Sequence, residues 1–83
     1  MYRFYIITDN NEGVLVKLCN LFSARGINIQ MLHAQPFSDN QNLSSIEMTA
    51  ELNDDKIVNM KEKILQIVPI REVTISKITE III

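Results

Sequence analysis

Two helical stripes, each enclosed between stretches of strand periodicity, leave this 83-residue chain few ways to fold. Residues 2–8, Tyr-Arg-Phe-Tyr-Ile-Ile-Thr, are aromatic and β-branched and read as a strand. Asp9-Asn10-Asn11-Glu12-Gly13 interrupts it. Val14, Leu15, Leu18, Leu21 and Phe22 then recur at helical spacing, with Asn10 or Asn11 as cap and Gly26 in the left-handed closing position. Strand periodicity returns from Ile27 to Phe37, with Ile27, Ile29 and Met31 on one side and Leu32 and Ala34 on the other. Pro36 falls near the end of this strand, where a missing N–H is tolerated.

After the polar turn Ser38–Asn42, the segment from Leu43 to Leu52 alternates cleanly and predicts a half-buried strand with one wet face. Asn53 is placed to cap a second helix, Asp54 and Asp55 suit its first turn, and Ile57, Met60, Ile64, Ile67 and Val68 form its apolar stripe up to Pro69. A last strand runs from Ile70 to about Ile78. The order β-α-β-β-α-β with right-handed crossovers gives an α+β, ferredoxin-like fold: a four-stranded antiparallel sheet with two helices on one face, in one domain spanning 1–83. Two helices cannot cover both sheet faces. Tyr5, Ile7 and one apolar row of the second strand are therefore expected on an uncovered face, which points to a self-complementary or partner interface. Ile81-Ile82-Ile83 reads as a strand end or tail.

Charge and cysteine content remove several classes of function. The net charge is -2 and the basic residues are scattered, unlike a nucleic-acid footprint. No apolar run approaches the roughly 20 residues that cross a bilayer, and Met1–Phe4 carries no long apolar signal region. One cysteine, Cys19, forms no intramolecular disulfide, and a cytoplasmic location is expected. One Cys, one His and no CxxC give poor support to a metal site. Cys19 reads as a packed helix residue and His33 as a structural or interface residue on a strand. Glu47, Glu51, Asp54 and Asp55 read as solvated charges rather than a converging acid–base pair. The second and third strands lack the aromatics of an RNA-binding sheet, and the first loop lacks the arginine of an acyl-phosphate cradle.

The first loop is what remains. Asn10, Asn11 and Gly13 stand at a helix N-terminus, where backbone N–H groups and the dipole favour a carboxylate. Gly13 permits close backbone approach, and Val14 and Leu15 add apolar neighbours. By residue type alone the same loop reads first as a capped turn with no further role, with ligand binding as the alternative.

Asp9-Asn10-Asn11-Glu12-Gly13-Val14-Leu15, followed by Leu21-Phe22-Ser23-Ala24-Arg25-Gly26-Ile27-Asn28-Ile29, resembles the ACT domain, and among ACT domains the small regulatory subunit of acetolactate synthase (acetohydroxyacid synthase). In that family a polar loop ends in Gly, Ala or Val, and Leu; a helix closes with L-F-x-x-R-G-x-N-I; and a strand leads to a proline, here Pro36. Residues 64–73 resemble the family's second helix end, with Pro69 where an acidic residue is usual. The resemblance extends from residue 4 to about 78, and by it a short, single-domain type without a further C-terminal domain is expected.

The resemblance implies a non-catalytic regulatory module of branched-chain amino-acid synthesis, paired into a homodimer with a continuous eight-stranded sheet. Valine or a related amino acid is expected at the dimer interface. Its ligand-binding set is Asp9, Asn10, Asn11, Gly13, Val14, Leu15, Asn28 and Ile29. Asn10 and Gly13 would hold the polar groups, Val14 and Leu15 would line the side-chain pocket, and Asn28 would reach in from the partner chain. The expected macromolecular partner is the catalytic large subunit of acetolactate synthase. Thiamine diphosphate, magnesium and FAD belong to that subunit, so no cofactor is expected in this chain. The alternative is a stand-alone interaction module that stabilises a partner enzyme without sensing a ligand.

Overall fold

A computed structural model of the chain describes residues 1–10 and 12–79. The expectations for Asn11 and for Ile81–Ile83 lie outside the described residues. Strand β1 (Tyr2–Asp9) leads to helix α1 (Val14–Ala24), β2 (Ile29–Pro36) and β3 (Leu43–Ala50). A 3₁₀ turn (Asp54–Lys56), helix α2 (Ile57–Leu65) and β4 (Ile70–Lys77) follow. The sheet order is β2-β3-β1-β4 and every neighbouring pair is antiparallel. This is the expected split arrangement: both crossovers carry helices, and β2 and β4 are the edges.

The even residues of β1 explain why one face is covered. Phe4 and Ile6 pair with Met48 and Ile46 on β3 and with Ile75 and Val73 on β4, so their side chains share a face. Leu18 and Phe22 of α1 and Met60 and Ile64 of α2 close over that row, and all four are buried. The Phe4 and Phe22 rings meet edge to face, with centroids 5.2 Å apart at 81°. Truncating either phenylalanine to alanine would cost about 3–5 kcal/mol, a large share of the stability of so small a domain.

The end of α1 has a definite stop. Gly26 adopts φ 67°, its N–H donates to Ser23 O (3.0 Å), and Ile27 N–H donates back to Phe22 O (3.0 Å). Those two bonds form a Schellman closure, and Ile27 and Phe22 both join the core, as that motif favours. The glycine expected at this position therefore has a conformational reason.

Several boundaries differ from the periodicity. β2 begins at Ile29 rather than Ile27, and its register shifts between Ile29 and Met31. Ile29 consequently lies on the helix side, opposite Ala50, while Met31 lies opposite Thr49 on the open side. An irregularity of this kind reverses a two-residue alternation, so Ile29 and Met31 do not share a face. β3 stops at Ala50, and its open side is drier than its polarity suggests: Ser45 and Thr49 are buried. Thr49 stands between Met31 and Arg3, and Ser45 between Gln35 and Ile7; longer cross-strand neighbours shade both. Asn53 precedes a 3₁₀ turn rather than α2, and makes no side-chain cap bond. Helix α2 ends at Leu65, so Val68 is 77% exposed instead of completing the stripe.

Candidate functional site

The loop after β1 is pinned at three points. Asn10 N–H donates to Asn42 O (2.8 Å) and its side-chain Nδ2 donates to Gln41 O (3.1 Å), tying the loop to the β2–β3 turn. Asp9 N–H donates to Pro69 O (3.3 Å), and Thr8 Oγ1 donates to the same carbonyl (3.3 Å). The Asp9 carboxylate accepts from Arg71 Nε, which also forms an ion pair with it. Each bond is modest, but together they fix where the chain enters α1.

This corrects the expectation for Asn10. Its side chain does not cap α1; Gly13 occupies the N-cap position, and its carbonyl accepts the first helical bond from Lys17 N–H (3.1 Å). Gly13 itself has ordinary right-handed φ and ψ, so no unusual dihedral demands a glycine there.

Asp9, Asn10, Val14 and Leu15 come together in one recess of about 160 Å³. Thr8, Ala34, Gln35, Pro36, Ser44 and Ile46 complete it. Val14 is buried and forms part of its floor, whereas Leu15 is half-exposed at the mouth. The volume is below the roughly 300–1,000 Å³ typical of small-molecule sites. Asn28 and Ile29 are elsewhere, in a shallow hollow of about 410 Å³ with Cys19, Ser23, Gly26 and Ile27. The recess touches the end of β2 at residues 34–36; the hollow touches its first residue, Ile29, and the two residues that precede it. Within one chain, therefore, the expected ligand set is divided between the two ends of a sheet edge.

Sequence reasoning missed Thr8, Ala34, Gln35, Pro36, Ser44 and Ile46 as lining residues, and Arg71 as the partner of Asp9. The strand pairing brings them there. The one local signal was Pro36, marking where β2 ends beside the loop.

The recess has no arrangement for acid–base or metal chemistry. Among the described residues no group of three or more His, Cys, Asp or Glu converges to hold an ion. The groups with displaced ionisation lie at the opposite end of β1. There the Tyr2 hydroxyl donates to Asp54, and Lys77 Nζ donates to the other carboxylate oxygen (3.2 Å). The Tyr2 hydrogen bond, then Lys77, hold Asp54 below the usual carboxylate range. Its acceptor, together with burial and the carboxylate charge, pushes the Tyr2 hydroxyl up. This is a structural clamp joining the 3₁₀ turn to β1 and β4.

The chain is similar to known regulatory domains. The model of the AHAS small subunit-like ACT domain family matches residues 4–74. Among solved structures, the acetolactate synthase small subunit from Thermotoga maritima is 25% identical, with a TM-score of 0.76 over 88% of this chain and 45% of that one. This chain thus spans less than half the length of that subunit. The ACT domain of GTP pyrophosphokinase from Chlorobium tepidum shares the fold at 14% identity, with a TM-score of 0.71 over 90% of this chain and 95% of that one. An ACT domain protein from Streptococcus pneumoniae does so at 13% identity and a TM-score of 0.70, over 90% of this chain and 85% of that one.

Proposed function

The chain belongs to the AHAS small subunit-like ACT domain family, a regulatory and non-catalytic type, and on that premise we propose that two copies pair through β2 to bind valine or a related branched-chain amino acid. The observation that carries this reading is the division of the ligand set between the two ends of β2. When two copies of an edge strand pair antiparallel about a two-fold axis, the end of one strand lies beside the beginning of the other. The recess at residues 34–36 of one copy then faces the Asn28 hollow of its partner, and a half-sized recess becomes a whole site.

Asn10, Gly13 and Asn28 hold the ammonium and carboxylate of the ligand, and Val14 and Leu15 receive its side chain. Asp9 acts through Arg71, by holding the loop, rather than as a free carboxylate. Ile29 flanks Asn28 in the hollow. The complex modulates the catalytic large subunit of acetolactate synthase, which carries thiamine diphosphate, magnesium and FAD. The ligand alters activity only by its unequal affinity for two arrangements, typically ~1–3 kcal/mol.

Isothermal titration with L-valine tests the sensing role: saturable heat is expected, weakened in Asn10→Ala and in Asn28→Ala. No heat at millimolar ligand, with Asn10→Ala indistinguishable from the parent, overturns it. A second reading, an interaction module without a ligand, is favoured by the open sheet face, where Tyr5 is 41% and Met31 37% exposed on the same side as Ile7. Co-purification with the large subunit, combined with failure to bind any of the twenty amino acids, would support that reading over the first.

A further inference from the structure

A different cleft, of about 310 Å³, opens between the end of α1 and the start of α2. Its floor is apolar: Ile27 and Met60 belong to the core and are 8% and 1% exposed. Its rim is charged and polar, made by Arg25, Asp55, Lys56 and Asn59, all exposed. Arg25 is held in place, since its Nη1 donates to Leu21 O (3.2 Å) at the end of α1. That contact uses one of the five N–H donors of a guanidinium. Asp54, the other acid of the 3₁₀ turn, is engaged by Tyr2 and Lys77, which leaves Asp55 as the carboxylate on this rim. Among the described residues, no ion pair uses Arg25, Lys56 or Asp55.

Two cations above an apolar floor suit an amphipathic anion. Charge-assisted bonds from a guanidinium and an ammonium hold a carboxylate, and burial of a hydrocarbon tail against Ile27 and Met60 adds the hydrophobic term. The volume falls in the range of small-molecule sites, whereas the recess beside the first loop does not. We propose that this cleft binds a small carboxylate with a short branched apolar tail, its head on Arg25 and Lys56. Where the ligand also carries an ammonium, Asp55 and Asn59 receive it. The site is complete within one chain and needs no second copy.

The test is backbone-amide NMR of the whole chain, titrated with 4-methylpentanoate, with its neutral analogue 4-methylpentanamide, and with L-leucine. Saturable shifts at residues 25–27 and 55–60 are expected with 4-methylpentanoate and not with the amide. L-Leucine separates the two sources of the carboxylate: tighter binding than 4-methylpentanoate, abolished as an advantage by Asp55→Asn, identifies an α-amino acid; equal or weaker binding identifies a simple acid. Lys56→Gln and Arg25→Gln should each weaken 4-methylpentanoate by about twofold to fivefold, the loss of a charge pair at an exposed rim. Arg25 also serves the end of α1, so thermal melting checks its fold; Lys56 has no such contact and provides the unambiguous variant. Asn10→Ala leaves this binding intact, which separates it from the interface site. Absence of saturable shifts at these residues at millimolar 4-methylpentanoate, equal shifts with the amide, or no effect of either substitution overturns the proposal.

Discussion

Gly26 shows how one residue can be demanded by backbone shape with no help from packing. A side chain built there would meet nothing within 4 Å, yet φ is +67°. Gly26→Ala should therefore destabilise the domain by about 1 kcal/mol through backbone strain alone. Gly26→Asn should recover part of the loss, because Asn tolerates the left-handed region. Urea unfolding of the three proteins checks this, and an alanine variant as stable as the parent would refute it. The glycine was legible from sequence because helix closure is a local event. Arg71 was not: its pairing with Asp9 depends on β4 lying beside β1, a fact 62 residues removed along the chain. Asn10 was misread for a similar reason. Its position before a helix suggested a cap, but the β2–β3 turn brings Gln41 O within reach of its amide and takes the bond.

The Tyr2–Asp54–Lys77 clamp belongs to both residue and element, and its pH dependence has a definite sign. Asp54 is lowered in the folded state from an ordinary value of 3.8. A depressed carboxylate stabilises the fold above its unfolded value, and that contribution is lost as pH falls through the folded one. Tyr2 is raised from 10.0, so its contribution is present below that value and is lost as pH rises through the folded one. The stability difference between the parent and Asp54→Ala should be flat between about pH 5 and pH 9 and shrink at both extremes. The pair is solvent-exposed enough that the effect will be small. Urea midpoints across pH measure it; a difference that stays constant down to pH 3 would remove the Asp54 assignment.

Among the elements, β2 was the least legible. Both helices follow from stripes of Leu, Phe, Met and Ile, and their core residues Leu18, Phe22, Met60 and Ile64 were all visible as periodic positions. In β2 the register shift between Ile29 and Met31 breaks the alternation that sequence reading relies on. A bulge leaves no fixed residue signature, so the side to which Ile29 turns could not be foreseen. Leu32 lies opposite Met48 on the helix side of the edge strand, yet it is 39% exposed. An edge strand with exposed Met31 and Leu32 is an invitation to pair. Leu32→Lys should change monomer stability by no more than about 0.5 kcal/mol, as expected at an exposed position, while abolishing self-association through β2. Sedimentation velocity reads the second effect and thermal melting the first. A variant that sediments as a dimer would place the interface elsewhere, and a parent that sediments as a monomer would remove the proposed pairing.

At the scale of the whole molecule, the proposed pairing through β2 would make binding and assembly one equilibrium. A recess of about 160 Å³ on one chain and a hollow at the other end of the same strand offer a valine-like ligand little separately. If the ligand binds only where they meet, it must favour the dimer by its own binding free energy, and dilution must weaken apparent affinity. At a free ligand concentration of about 100 times Kd, linkage supplies about 2.7 kcal/mol to the form that binds. The expected outcome is a melting temperature that rises with protein concentration without L-valine and becomes less dependent on it when L-valine is saturating. Leu32→Lys should lose both the concentration dependence and the response to L-valine, while still giving shifts with 4-methylpentanoate at residues 25–27 and 55–60. A valine response that survives in monomeric Leu32→Lys would show that the loop recess suffices alone, and the role of Asn28 across the interface would fall with it.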